Sequence, residues 1–246
     1  MGRISFNNFG YVAGKSRDYT ISASRFYHQK KYEKKIIIDI IKKLSLNESD
    51  DLLDIGCNVG TQLIPLSFVV DRVYGLDHKK CISKIQNRFP EIPKANLFNG
   101  NFLDIKIKKK FKKILCYSVL HYLQDENEFI YFVEKITKIL KKGGIALVGD
   151  VPNKDLEKRF HNSKRGKIWL SNFYKSRSTA RQRHKIENIS TFLNKRKKDD
   201  KYVKIDNVLI KKLLTKIRKK TKKINRIRHN LDFTFGPTRE DIIIYK

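Results

Sequence analysis

An α/β fold built on a mostly parallel sheet is predicted, and three observations predict it. Short apolar runs alternate with segments of helical period between about residues 52 and 150. That is the rhythm of parallel strands crossed over by helices that cover both faces of a sheet. The first apolar run leads straight into a turn holding Gly56 and Gly60, and the next ends in a single acid, Asp77.

The elements follow in order. Residues 1–23 read as polar and irregular. From Ser24, a candidate cap, a helix runs to about Leu44 on the spacing of Phe26, Tyr27, Ile36, Ile37, Ile40, Ile41 and Leu44. Residues 52–55 are a strand, 61–68 a short helix weakened by Pro65, 69–77 a second strand and 79–89 a helix closed by Pro90. Residues 95–100 and 111–117 supply the third and fourth strands. Residues 127–140 form an amphipathic helix that Lys141-Lys142-Gly143-Gly144 stops, with a glycine in the left-handed cap position. Residues 145–150 are the fifth strand. A helix is expected at 208–217, and two closing strands at 231–235 and 242–245 around Gly236-Pro237.

Hydrophobic residues make up 40% of the 246, enough for a folded core. The three cysteines, Cys57, Cys81 and Cys116, lie far apart with no CxxC. They fit a reducing, cytoplasmic setting and offer neither a disulfide scaffold nor a metal site. No apolar run approaches the roughly 18 residues a membrane helix needs, and residues 1–8 lack a signal-peptide core. The net charge of +30 is concentrated at one end: residues 151–246 carry 29 Lys/Arg against 9 Asp/Glu. Such a field attracts polyanions, and it equally fits a lysine-rich surface composition.

The stretch Leu52-Leu-Asp54-Ile-Gly56-Cys57-Asn58-Val-Gly60 is the most informative. A tight turn from strand to helix needs residues that tolerate left-handed backbone and let a ligand approach. The dinucleotide pattern GxGxxG is not met, since position 58 is Asn and position 61 is Thr, which disfavours a nicotinamide or flavin dinucleotide. Asp77 follows 23 residues after Asp54, where an acid in a Rossmann-like sheet accepts ribose hydroxyls; an acid there can also be a plain helix cap. Together the two describe a nucleoside site without a pyrophosphate grip.

These residues resemble the class I S-adenosylmethionine-dependent methyltransferases. Asp54 to Gly60 is similar to the family's first motif, Tyr74-Gly-Leu-Asp77 to its second and Gly100-Asn101-Phe102-Leu-Asp104 to its third. Tyr117-Ser118-Val-Leu-His121-Tyr-Leu123 resembles the fourth, and Leu140-Lys-Lys-Gly-Gly144 the loop before strand five. The resemblance implies a Rossmann-like seven-stranded sheet, mostly parallel with a C-terminal antiparallel strand, with S-adenosylmethionine as cofactor. It assigns cofactor binding to Asp54, Gly56, Cys57, Asn58, Gly60, Asp77, His78, Asn101, Phe102, Asp104, Tyr117 and Ser118. Tyr19 and Arg25 join them from a covering N-terminal segment. On the same reading residues 1–50 are a helical cap, 51–150 the cofactor core, 153–230 a basic insert over the acceptor and 231–246 the closing strands of one domain.

Methyl transfer is an in-line displacement at carbon that depends mainly on positioning, with a base where the acceptor must lose a proton. His121 and Asp150 are the candidates for that role; His121 can equally line the pocket, and Asp150 can cap the next helix. Gly149-Asp-Val-Pro-Asn153 resembles small bacterial methyltransferases associated with surface-sugar and capsule biosynthesis. A small acceptor, phosphorylated or sugar-linked, is therefore expected. RNA is the alternative, through cations and aromatics in residues 153–230 that can stack bases and neutralise phosphates. A binding protein that keeps the fold without transfer is the third reading.

Overall fold

The computed structural model describes residues 3–16, 18–22, 27–186, 202–233 and 235–246, with backbone alone at 3–5, 21, 27–29 and 176–186. Seven strands form one sheet: β1 Asp51–Ile55, β2 Arg72–Asp77, β3 Leu97–Asn99, β4 Phe111–Tyr117, β5 Leu140–Pro152, β6 Lys223–Arg228 and β7 Arg239–Tyr245. Their order is β3-β2-β1-β4-β5-β7-β6. The first five pair in parallel, with Leu53 beside both Tyr74 and Ile114, and β7 runs antiparallel between β5 and β6. This is the predicted seven-stranded, mostly parallel sheet.

Side-chain alternation along each strand builds two cores. Leu53, Ile55, Leu76, Ile114, Cys116, Ala146, Val148, Ile242 and Ile244 face one side. There they meet α6 (Glu126–Ile139) and α9 (Asn207–Arg218) through Phe129, Val133, Ile136, Leu209 and Leu213. Leu52, Val73, Leu115, Tyr117, Leu147 and Ile243 face the other side. Those pack on α3 (Glu33–Leu44), α4 (Leu63–Leu66) and α5 (Lys79–Arg88). Each fully buried Leu or Ile contributes roughly 1.5–3 kcal/mol, so both faces hold the sheet in register. Asp125 caps α6 by accepting from the Glu128 amide while Glu128 reaches back to the Gln124 amide, a reciprocal cap one residue off the usual spacing.

Several boundaries differ from the prediction. Residues 1–23 contain α1 (Arg3–Lys15) and α2 (Tyr19–Ser22) rather than an irregular segment. Gly10 and Gly14 argue against helix on propensity, but Gly10 is where α1 closes on His78. The helix expected from Ser24 begins at Glu33, after a 3-10 turn at Tyr27–Tyr32; Ser24 and Arg25 lie outside the described residues. The helix at 61–68 shrinks to Leu63–Leu66 around Pro65. Gly143 is left-handed (φ 75°), yet it turns the chain inside β5, because α6 has already ended at Ile139.

The closing pair is also shifted. Its first strand is Lys223–Arg228, while residues 231–233 form a turn ahead of a 3-10 turn at Gly236–Thr238, and Thr234 lies outside the described residues. β6 is an edge strand whose cations face water, and such charge discourages edge pairing while masking the strand in the sequence. Between β5 and β6 lie α7 (Lys154–Asn162), α8 (Lys164–Ile186) and α9. The helix predicted at 208–217 is α9. Among the described residues no helix is long and apolar enough to cross a membrane.

Candidate functional site

The carboxyl ends of β1, β2, β3 and β4 converge on a narrow slot lined by Ile55, Gly56, Leu76, Asp77, Gly100, Asn101, Phe102, Val119, Phe132 and, from α1, Phe6. The turn after β1 makes this approach possible. Gly56 and Gly60 adopt φ 80° and 84°, and Asn58 joins them at 48°. A Cβ on Gly56 would stand 2.5 Å from a methyl of Val119, so only glycine leaves the slot open there.

Two buried acids face one another across this turn. Asp77 accepts the amide of Asn58 at 2.8 Å through one oxygen and that of His78 at 2.6 Å through the other. Burial raises its pKa, and those two amides hold it back. Each oxygen keeps lone-pair capacity suited to a hydroxyl. Asp54 is 2% exposed and its Oδ2 has no hydrogen-bond partner. Burial, and then the charge of Asp77, pushes its pKa up to about 8. A buried carboxyl with an unmade bond, close to a second buried acid, is suited to a cation with N–H donors. A nucleoside that carries an ammonium group, as S-adenosylmethionine does, fits both acids.

The other sequence candidates divide. Asn101 and Phe102 line the slot, and Lys135 fixes their loop by donating to the carbonyls of Phe102, Leu103 and Ile105. Asp104 does not line it: the turn that joins its amide to the Asn101 carbonyl points it to solvent. The Cys57 side chain is fully buried in the opposite core, so only its backbone borders the turn. His78 caps α5, accepting from the Lys80 amide, and its ring lies 5.1 Å from Phe6. Tyr19 packs with Ala13, Val59 and Cys81, outside the slot, under the cations of Lys30 and Arg88. Arg25 lies outside the described residues. The N-terminal segment is nonetheless tied to the turn, since the Asn58 side chain donates to the Ser22 carbonyl at 3.0 Å.

A second polar cluster stands at the ends of β4 and β5. Ser118 (φ 58°) and Asp150 (φ 55°) are both left-handed without being glycine, a strain that persists where surrounding structure enforces it. Here the Ser118 hydroxyl donates to Asp150 at 2.5 Å, and the Asp150 amide donates to Asp241 at 2.8 Å. Burial tends to raise the Asp150 pKa, but Arg239, His229, His121 and Ser118 outweigh it and keep the acid below its ordinary range. Tyr117 points to the other face, where its hydroxyl lies 3.2 Å from His229 Nε2, so its side chain is not a slot residue.

The fold matches one group of known proteins. A family model described as "Methyltransferase domain" matches residues 28–197. The chain belongs to that methyltransferase family. Its sheet is the class I, S-adenosylmethionine-dependent form. The N-methyltransferase NodS of Bradyrhizobium japonicum, solved with S-adenosylhomocysteine, aligns over 98% of this chain and 96% of its own at 13% identity and a TM-score of 0.58. Phosphoethanolamine N-methyltransferase 1 of Haemonchus contortus aligns over 98% of this chain at 16% identity and a TM-score of 0.67, and this chain spans 48% of its length. An amino pentose methyltransferase of Micromonospora echinaspora aligns over 48% of each chain at 19% identity, with a TM-score of 0.40. No curated protein matches by sequence.

Sequence reading missed three residues of this methyltransferase's polar cluster: His229, Arg239 and Asp241. They lie some 80 to 90 residues after Asp150 and reach it only because β7 runs antiparallel beside β5. It also missed a cavity of about 360 Å³ beyond that cluster, between α7, α8 and the ends of β5 and β7. His121 lines this cavity, while Val119, two residues earlier, lines the cofactor slot. The 3-10 turn Leu120–Tyr122 borders the cavity, and Val119, which caps it, borders the slot.

Proposed function

We propose that the protein transfers a methyl group from S-adenosylmethionine to a small, sugar-like or anionic acceptor. The observation that carries this reading is the 360 Å³ cavity reaching His121, a volume in the range that holds small ligands. When bound, S-adenosylmethionine supplies the electrophilic methyl group. Asp54 meets the cofactor's ammonium, Asp77 its ribose, and Asn101 and Phe102 its base. The acceptor lies in the cavity with its nucleophile toward His121 and Asp150. Asp150, held ionised, accepts or orients the proton that the acceptor loses, and His121 lines the approach.

The basic charge gives weaker support to RNA. Along α9 and just beyond its end the cations are partly engaged with α6: Lys212 with Glu126 at 3.0 Å and Lys220 with Glu134 at 3.0 Å. Exposed pairs of this kind contribute at most about 1 kcal/mol, but they show a use for the charge other than phosphate. The arginines at 177, 181 and 183 fall where only backbone is described. The deciding experiment follows label from S-adenosyl-[methyl-³H]methionine into a panel of small sugars, sugar phosphates and amines, and into bulk RNA. Label in small acceptors supports the proposal, and label confined to RNA overturns it.

A further inference from the structure

We propose that the acceptor cavity selects a ring compound that bears an anion, with the ring against the aromatic wall around Trp169 and a phosphate or carboxylate on Arg239. The inference rests on the reading that this cavity holds a small acceptor. Its wall is unusually aromatic: Trp169 and Phe173 stack at 5.0 Å and 8°, His161 stacks on Trp169 at 6.0 Å, and Phe235 meets both rings edge-on. Such a surface favours flat, weakly polar faces, whether of an aromatic or of a sugar ring.

The charge around it is positive. Lys154, Lys204 and Arg239 line the cavity against one carboxylate, Glu157, which is engaged by Lys154 at 2.6 Å. Arg239 is the least exposed cation among them, with a side chain 15% exposed. Its Nε and Nη1 are buried without a hydrogen-bond acceptor. Asp150 is near, but at 3.6 Å from Nε it satisfies neither donor. The guanidinium instead lies over the Phe235 ring at 5.2 Å, which fixes its plane. A planar fork with unmade bonds in an aromatic cavity is suited to a two-oxygen anion. Leaving such donors unmet costs stability, and a bound anion removes that cost. His161 adds a third unmet buried atom, Nε2, on the same wall.

Trp169 is the only tryptophan in the chain, so its emission reports directly on this cavity. The probes are phenyl phosphate, benzoate and glucose 6-phosphate, with phenol, benzamide and glucose as neutral partners, titrated into the full-length protein. Each anion is expected to change the emission and to bind about tenfold or more tighter than its neutral partner. Arg239→Gln should remove that preference, Arg239→Lys should restore part of it, and both should keep their affinity for S-adenosylhomocysteine, which verifies the fold. Phenyl phosphate against glucose 6-phosphate separates an aromatic from a sugar ring, and benzoate separates carboxylate from phosphate. Neutral probes binding as well as anions, or an anion preference that survives Arg239→Gln, overturns the anchor and leaves the small-acceptor reading standing. No binding by any probe also overturns it. If label then passes only to RNA, the small-acceptor reading falls as well.

Discussion

His229 and Asp241 form a buried pair, with the imidazole Nδ1 2.9 Å from one carboxylate oxygen and 3.0 Å from the other. They are 3% and 0% exposed. Asp241 also takes Lys43 at 2.6 Å and the amide of Asp150 at 2.8 Å, so one carboxylate holds a helix, a histidine and the strained turn at the site. Removing one partner from a buried charged network costs about 3–5 kcal/mol. Asp241→Asn is therefore expected to lower unfolding free energy by that order in urea titrations.

The same residue sets an acid limit. Burial would raise the Asp241 pKa, but His229 and Lys43 outweigh it and hold it below its usual value. A depressed folded-state pKa contributes stability that is complete above the unfolded carboxyl value near 4 and lost as pH falls through the folded value. The wild type should lose stability below about pH 4, and Asp241→Asn should lose less over that range. Thermal unfolding midpoints from pH 3 to 6 test this, and parallel curves for the two proteins would remove Asp241 as the source.

Asp54 works with the opposite sign. With a pKa raised to about 8, it is largely protonated at neutral pH and must ionise to pair with an ammonium. S-adenosylmethionine binding is expected to release a proton below pH 8 and to tighten as pH rises from 6 to 8. Above that range the ligand's own amine, with an ordinary value near 8, begins to lose its charge. Calorimetry in buffers of different ionisation enthalpy measures the released proton. Asp54→Asn should abolish the release and weaken binding by about 1.5–3 kcal/mol; an unchanged proton count would exclude Asp54 as the source.

How far the sequence reached depends on what each signal rests upon. The turn from Asp54 to Gly60, Asp77 and the loop at Asn101-Phe102 were legible because each is local: a few adjacent residues with special backbone needs. The strands were legible where both faces are buried, as in Leu52-Leu53 and Ile114-Leu115. β6 was not, because an edge strand presents Lys223, Arg226 and Arg228 and reads as a charge run. Asp104 faces solvent instead, because a four-residue turn decides which of its members faces inward. His229, Arg239 and Asp241 carry no local signal at all. Their relation to Asp150 comes from the pairing of Val148 with Ile242 and Val151 with Glu240, which no short-range pattern encodes.

The N-terminal helix packs at the mouth of the slot between the ends of β1 to β4. Phe6 lines that slot, Phe9 lies 4.8 Å from Tyr122, and a Cβ on Gly10 would fall 2.2 Å from the His78 ring. With α1 seated, the slot is a narrow one. A nucleoside entering past Phe6 is expected to displace α1. Phe6→Ala should raise the association rate for S-adenosylhomocysteine in stopped-flow experiments, and Gly10→Val should unseat α1 and raise it further. Rates equal to wild type in both variants would show that entry follows another route.

Asp150 and His121 are separable as proton acceptors. Asp150 is kept ionised by its cationic neighbours despite burial, so it is ready to act throughout the neutral range. A rate governed by Asp150 should stay flat between pH 6 and 8, whereas a rate governed by an imidazole should show an acid limb. Asp150→Asn removes the carboxylate while keeping an acceptor oxygen for Ser118. It is expected to lower kcat by about 10²–10⁴ and to leave the KM for S-adenosylmethionine near wild type, since Asp150 does not line the cofactor slot. His121→Gln should cost less and act mainly through the acceptor KM, because His121 borders the acceptor cavity. The pH–rate profiles of both variants decide between them: an acid limb that vanishes in His121→Gln, with Asp150→Asn fully active, would pass the base role to His121.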